Sequence, residues 1–318
     1  MAILVVNEDE VRQLLTMELA LEAVEEALRR QALEEAQNLP RLRCHADHAM
    51  LHTMAAAAKS LHVLGYKAYC TTRHGAQFHV GLFDARRGEL IALIQADYLG
   101  QMRTGAASGV ATHYMARSDA QEVGLYGSGK QARTQLLAVC RVRNVRRVQV
   151  FSPSEERRRR FCHEMSAECQ CDVVPVARPE LAARDMDIVI TATTSREPVL
   201  YGDWLAEGTH LNVIGSNFLH KAEIDAIAVR RSQTIIVDSK DQARLEAGDF
   251  VQALEEGTLR WSEVHELGQV IVGRYAGRLH AQDITMFKSL GIALEDVAVA
   301  AKVYDKAITA GVGRMIEW

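Results

Sequence analysis

The sequence is poor in the features that would anchor it in a membrane or staple it covalently. No apolar run reaches the ~18 residues a bilayer-spanning helix needs. The opening Met1-Ala2-Ile3-Leu4-Val5-Val6 meets Glu8 and Asp9 too soon to form the apolar stretch of a secretory signal. Six cysteines, at 44, 70, 140, 162, 169 and 171, include no CxxC pair and read as reduced thiols. There are only five prolines, and none marks a linker. Neither sign of charge dominates: 37 Lys and Arg against 41 Asp and Glu leave a net charge of −4, with no general attraction to nucleic acid. These absences set the expectation of a soluble, cytoplasmic protein.

What is present is ordinary globular material, 48% hydrophobic and 25% charged. At ~150 residues per domain, 318 residues make two domains. Residues 16–31 read as a helix, with Leu21, Val24 and Leu28 on one face and Glu22, Glu25, Glu26, Arg29 and Arg30 on the others. Residues 63–95 read as β-structure. Tyr66–Tyr69 and Phe78–Phe83 are strand-like, Asp84–Glu89 is a turn, and the chain returns as a strand over Leu90–Ile94. Thr104–Met115 is rich in small residues and predicts a buried helix.

From Glu122 strands and helices alternate. Val123–Tyr126, Arg147–Phe151, Asp187–Thr191, His210–Gly215 and Thr234–Asp238 are apolar strands. Ala132, Leu136, Leu137 and Cys140 mark a helix face, and Ser154 is placed to cap a helix running through Met165. This rhythm predicts a parallel sheet with helices on both faces. The last apolar helix, over Ile292–Ile308, follows the sheet and is expected to return to the N-terminal domain. The division expected is 1–118, 119–290 and a returning segment 291–318.

Gly127-Ser128-Gly129-Lys130-Gln131-Ala132 has the G-x-G-x-x-A form, after a strand and opening a helix. The first Gly allows the tight turn, the second lets a pyrophosphate approach the backbone, and Ala132 lets the helix sit close to the strand. The helix N-terminus adds free N–H groups. This points to a dinucleotide, with Gly127, Gly129, Lys130 and Gln131 around the phosphates. The following strand ends Phe151-Ser152-Pro153-Ser154, without the acid that would bind ribose hydroxyls. Ser152, Ser154, Arg157 and the neighbouring Arg158 could receive a 2′-phosphate, which tilts the choice between NADP and NAD towards NADP. Arg157–Arg160 also reads as a solvated helix face. Thr193 and Thr194 follow a strand's carboxyl end, where cofactors bind.

Two other groupings carry less. His45, His48 and His52 would share a helix face as metal ligands, but Pro40 upstream and the lack of a helical period favour scattered loop histidines. Cys169-Gln170-Cys171 is a possible thiol pair, with ordinary reduced cysteines the better reading.

Leu64-Gly65-Tyr66-Lys67, Gln101–Ser108, the Gly127–Ala132 turn, Gly215-Ser216-Asn217, Lys221–Asp225 and Phe287–Gly291 running into Leu294-Glu295-Asp296 occur in one order. In these motifs the chain resembles the ornithine cyclodeaminase/mu-crystallin family over nearly its whole length. The resemblance implies an α/β fold, with a Rossmann-type nucleotide-binding domain beside a second, discontinuous α+β dimerisation domain. It implies NADP or NAD as cofactor, Thr104 and Gly215 near it, and a small amino, imino or keto acid as substrate. It places the carboxylate-binding residues at Arg41 (or Arg43) and Arg103, and a substrate lysine at Lys67. The chemistry suits the residues: Arg grips a carboxylate with two parallel hydrogen bonds, and Lys67 can orient it or give a proton to the substrate nitrogen.

The sequence departs from the family at Asn217, where cyclodeaminases carry an Asp that binds the substrate's amino groups. An amide supplies neither base nor negative charge, which argues against ornithine cyclodeamination. Lys288 also stands where many members have Asp. The expectation is a homodimeric NAD(P)-dependent reductase of imino or keto acids. A cyclodeaminase-type lyase and a mu-crystallin-like small-ligand binder are the alternatives.

Overall fold

The computed structural model describes residues 2–317. After β1 (Ala2–Val6), Asn7 caps α1 (Glu8–Leu14). Its side chain accepts from the N–H groups of Asp9 and Glu10, and Glu10 reaches back to the Asn7 N–H. Thr16 caps α2 (Met17–Ala32), which buries Val24 and Leu28 as its periodicity predicts and leaves Leu21 half-exposed. The stretch without an assignment in the sequence reading is a long hairpin, β2 (Ala36–Ala46) and β3 (Ala49–Ala58). His45 and His52 therefore lie on strands, and only His48 falls in the turn. The antiparallel ladder continues through β4 (Val63–Thr72), β5 (Gly75–Asp84) and β6 (Leu90–Gln95). α3 (Asp97–Met115) starts a turn and more before the expected Thr104.

Strand–helix alternation then takes over: β7 (Glu122–Tyr126), α4 (Lys130–Val142), β8 (Arg147–Phe151), α5 (Glu155–Cys169), β9 (Asp172–Pro175), β10 (Ile188–Thr191) and β11 (His210–Val213). α6 (Ala226–Arg231), β12 (Ser232–Val237), α7 (Lys240–Glu246), α8 (Val251–Glu255), β13 (Val264–Glu266), α9 (Leu267–Ile271) and β14 (Ile284–Lys288) complete it. The eight-stranded sheet has the order β13-β12-β14-β11-β10-β7-β8-β9, and its pairs are parallel. Both faces are buried: Ile188 and Ile190 belong to one apolar cluster and Val189 between them to the other. The order reverses direction about β7, so the carboxyl ends of β7 and β10 flank a switch point. On α4 the buried face is Ala132, Leu136 and Val139, while Leu137 and Cys140 of the expected face are half-exposed.

α10 (Ala293–Ala310) packs against α2 and against β3 and β4, and β15 (Arg314–Glu317) pairs antiparallel with β1. The seven-stranded sheet thus has the order β15-β1-β6-β5-β4-β3-β2. The chain divides into two compact units. One runs up to Arg103 and resumes at Gly291; the other is Thr104–Leu290. The division falls inside α3 rather than at 118/119, and the returning segment is a helix plus a strand.

Candidate active site

Three of the expected substrate residues meet in the first unit. Arg41 sits where the β2–β3 register shifts between Leu39 and Leu42, and its Nη2 donates to the Gly291 carbonyl at 2.9 Å. Lys67 lies mid-strand in β4, opposite Met54 and Val80, with Nζ 2.7 Å from Asp296 Oδ1. Arg103 on α3 donates through Nε to the same oxygen at 3.0 Å, and through Nη1 to Glu295 Oε2 at 2.9 Å. All three cations, and both carboxylates, are buried. The ion pairs of Lys67 and Arg103 are buried, not surface salt bridges. Three cations and two carboxylates thus lie buried together, where each charge depends on its partners.

Two glycines make the room. Gly291 has φ +73, and a Cβ there would stand 2.5 Å from Arg103 Nη1. A Cβ on Gly100 would stand 3.0 Å from Lys67 Nζ. Burial pulls the Lys67 pKa down to about 8 against the pull of Asp296, with Arg103 and Arg41 adding to the depression. Burial also opposes the Arg103 charge, but Asp296 and Glu295 outweigh it and hold that guanidinium above its ordinary value.

On the same face of this sheet, His52 stacks on Tyr69 at 4.1 Å and Tyr69 on Phe78 at 4.9 Å, across β3, β4 and β5. Lys67 Nζ lies 5.6 Å from the Phe78 ring centre. Burial, then Arg43 and Arg41, lower the His52 pKa to about 4, so its ring is neutral. Among the described residues no group of His, Cys, Asp or Glu is arranged to hold a metal.

The second unit carries the glycine turn. Gly127 has φ +111, and a Cβ on it would lie 2.4 Å from the Ala192 carbonyl oxygen, so only glycine fits. Gly129 is the N-cap of α4, without a side-chain cap, and a Cβ there would meet nothing within 4 Å. Lys130 and Gln131 form the first turn of α4, and Gln131 Oε1 is buried with no hydrogen-bond partner. An open helix N-terminus with space over Gly129 fits a pyrophosphate. Ser128 Oγ donates to Ser152 Oγ at 3.0 Å, which joins this turn to the end of β8. Ser154 caps α5 by accepting from the Arg157 N–H. Arg157 is exposed, whereas Arg158 is buried and donates to the Ser152 carbonyl. Thr104 accepts from Gln135 Nε2 at 2.9 Å, and a Cβ on Gly105 would stand 2.3 Å from the Thr134 carbonyl oxygen. The small residues of α3 thus let it touch α4.

Glu223, read in the sequence only as part of a motif, organises the loops after β10 and β11. Its Oε1 accepts from the Thr193 N–H at 2.6 Å and Thr193 Oγ1 at 2.7 Å; its Oε2 accepts from Thr191 Oγ1 at 2.8 Å and the Gly215 N–H at 2.5 Å. Thr194 and Gly215 are exposed at these loops. Burial, then Asp249, raise the Glu223 pKa. Asp249 accepts from the Glu223 N–H at 2.6 Å and pairs with Lys288 Nζ at 2.8 Å. Lys288 also donates to the Ser216 carbonyl at 2.7 Å, one residue before Asn217. The departure at Lys288 thus supplies a buried cation to two buried carboxylates. Asn217 lies on the second unit's loop after β11, while Arg41, Lys67 and Arg103 belong to the first.

Residues 2–311 match the ornithine cyclodeaminase/mu-crystallin family. The Delta(1)-pyrroline-2-carboxylate reductase of Bacillus cereus is 34% identical over 273 residues, 83% of this chain and 84% of that protein. The structure of Thermococcus litoralis Delta(1)-pyrroline-2-carboxylate reductase in complex with NADH and L-proline aligns with a TM-score of 0.93 at 33% identity, covering 98% of this chain and 99% of that one. The iminosuccinate reductase of Paracoccus denitrificans in complex with NAD+ aligns with a TM-score of 0.94 at 30% identity over the full length of both chains. No described helix is long and apolar enough to cross a membrane.

Proposed function

The chain belongs to the ornithine cyclodeaminase/mu-crystallin family, and we propose that it is an NAD(P)H-dependent reductase of small imino or keto acids. The observation that carries this reading is the buried cluster of Arg41, Lys67 and Arg103 with Glu295 and Asp296. Two guanidiniums and an ammonium brought together in a buried place suit the α-carboxylate of a substrate. Arg103 makes no hydrogen bond through Nη2 among the described residues, which leaves that nitrogen for the substrate. Arg41, held by the Gly291 carbonyl, is the second carboxylate ligand.

A bound nicotinamide supplies the hydride. Lys67, with its pKa near 8, is charged at neutral pH yet gives up a proton readily, the property needed to protonate the nitrogen or oxygen of the reduced double bond. Asp296 orients the ammonium. Gly127, Gly129, Lys130 and Gln131 take the pyrophosphate. Glu223 positions the Thr193 and Gly215 loops. Ser152, Ser154 and Arg157 surround the adenosine ribose, and the exposed Arg157, with no acid at the tip of β8, favours NADPH. Asn217 at the acid position of cyclodeaminases supports reduction over ring-closing deamination. The reading includes a homodimer.

A steady-state panel of cyclic imino acids, and of keto acids with ammonia, tests the proposal with both cofactors. Net consumption of NADPH or NADH supports it. Ammonia release from a diamino acid with no net redox change replaces it with a lyase. Tight ligand binding with neither replaces it with a binding protein.

A further inference from the structure

The aromatic ladder beside the acid-binding cluster holds a buried nitrogen that the proposed reaction does not use. Lys67, Tyr69 and Thr71 alternate onto one face of β4, opposite Met54, His52 and Met50 of β3 and Val80, Phe78 and Ala76 of β5. Lys67, His52 and Tyr69 are buried there. The rings stack in the order His52, Tyr69, Phe78, and Lys67 Nζ lies 5.9 Å from the Tyr69 ring centre and 5.6 Å from that of Phe78. On β2, Arg43 stands opposite His52. The ladder therefore adjoins the cations that would hold the α-carboxylate.

The hydrogen bonds fix which nitrogen of His52 carries the proton. Nε2 lies 3.2 Å from Thr71 Oγ1, and Thr71 Oγ1 lies 3.4 Å from the Met50 carbonyl oxygen. A carbonyl oxygen only accepts. The Thr71 hydroxyl satisfies both neighbours when it donates to Met50 and accepts from an Nε2–H. Nδ1 then carries a lone pair. It is buried and has no hydrogen-bond partner among the described residues. Burial, then Arg43 and Arg41, keep the ring neutral at ordinary pH, so the lone pair stays available. A buried acceptor left without a donor is costly, and a bound ligand is one way to satisfy it.

We propose that His52 and Tyr69 form the subsite for the substrate's side chain, with His52 Nδ1 accepting a hydrogen bond from a neutral hydroxyl or amide N–H on it. This rests on the imino- and keto-acid reading above and narrows it to acids whose side chain carries such a donor. An apolar side chain of equal size leaves Nδ1 unpaired. A side-chain ammonium meets the positive charges of Arg43 and Arg41. A side-chain carboxylate, which only accepts, faces the lone pair. Leaving the buried nitrogen unpaired should cost roughly 5- to 150-fold in kcat/KM.

The test uses an isosteric pair, 3-hydroxypyruvate and 2-oxobutanoate, each with ammonia and with NADPH or NADH. The full chain should prefer the hydroxy acid. His52→Phe keeps a ring in the stack without the acceptor and should remove that preference. His52→Asn returns an acceptor near the Nδ1 position and should regain part of it. Thr71→Val is a milder change that frees the tautomer, and it should lower the preference too. Circular dichroism of each variant confirms folding. Calorimetric binding of the matching amino acids, L-serine and L-2-aminobutyrate, reads the same preference without turnover. An equal preference in the parent and His52→Phe would overturn the subsite and leave the reductase reading standing. A stronger preference for oxaloacetate would also overturn it, by placing a side-chain carboxylate at Arg43. No turnover of any acid, with a binding preference for L-serine that His52→Phe removes, would keep the subsite and overturn the reductase reading. Neither turnover nor a binding preference would overturn both.

Discussion

Arg103 illustrates how a single side chain can be both structural and functional. Its Nε and Nη1 are bound to Asp296 and Glu295. Lysine in its place keeps a charge but cannot make both contacts and still present a nitrogen to substrate. Arg103→Lys should lower kcat/KM by roughly 10- to 150-fold, the loss of one charged hydrogen bond of about 1.5–3 kcal/mol. Titration with NAD(P)H should change much less, because Arg103 and the glycine turn belong to different units; parental kcat/KM on an established substrate would remove Arg103 from the site. Lys67 gives a pH signature. A lysine that donates its proton is active below its pKa, so kcat for reduction should fall as pH rises through about 8. Lys67→Met should lose that limb together with most of the rate, and a pH–rate profile of each protein decides it. At the cofactor, Arg157→Ala should weaken NADPH and leave NADH nearly unchanged. Equal losses, or none, would return Arg157 to the solvated face of α5.

At the scale of elements, two glycines two residues apart in one turn behave differently. Gly129→Val extends into open space, so the fold should survive while NAD(P)H affinity falls by an order of magnitude or more, as read by fluorescence titration and Tm on one sample. Gly127→Ala instead meets the Ala192 carbonyl at a left-handed φ and should lower Tm even without cofactor. The turn was legible because strand, glycine spacing and helix are all local. So were α2, α4, α5 and the parallel strands β7, β8, β10, β11 and β12, whose apolar periods stand out from their neighbours; β9, β13 and β14 were not legible as strands. Neither was the β2–β3 hairpin. Pro40 and the register shift near it break the alternation of β2, and β3 ends in the weak strand formers Ala55–Ala58. Glu295 and Asp296 were equally hidden in role. Acidic residues in the first turn of a helix are what the helix dipole favours anyway, and nothing local shows that they answer cations nearly two hundred residues earlier. Glu223 stood in a quoted motif, but its four donors come from two loops that only the sheet brings together.

For the whole molecule, each unit pairs buried cations with buried carboxylates of its own. In the second, Lys288 is the cation for Asp249 beside Glu223. Removing one partner of a buried pair strands the other. Lys288→Met should therefore cost about 3–5 kcal/mol and lower Tm by roughly 6–20 °C. Adding Asp249→Asn should recover much of the loss, and a double variant no more stable than the single one would refute the pairing account. The first unit has a different dependence. Its sheet is completed by β15 on β1, and Lys67 and Arg103 pair with carboxylates on α10. During synthesis the second unit is a continuous piece and can fold as soon as Leu290 has cleared the ribosome. The proposed acid-binding cluster must wait for the segment beyond it, so until then the nascent chain carries Lys67 and Arg103 without the carboxylates that make their burial tolerable. The proposed substrate pocket is thus among the last parts of the protein to come into being, after the nucleotide turn already has its shape.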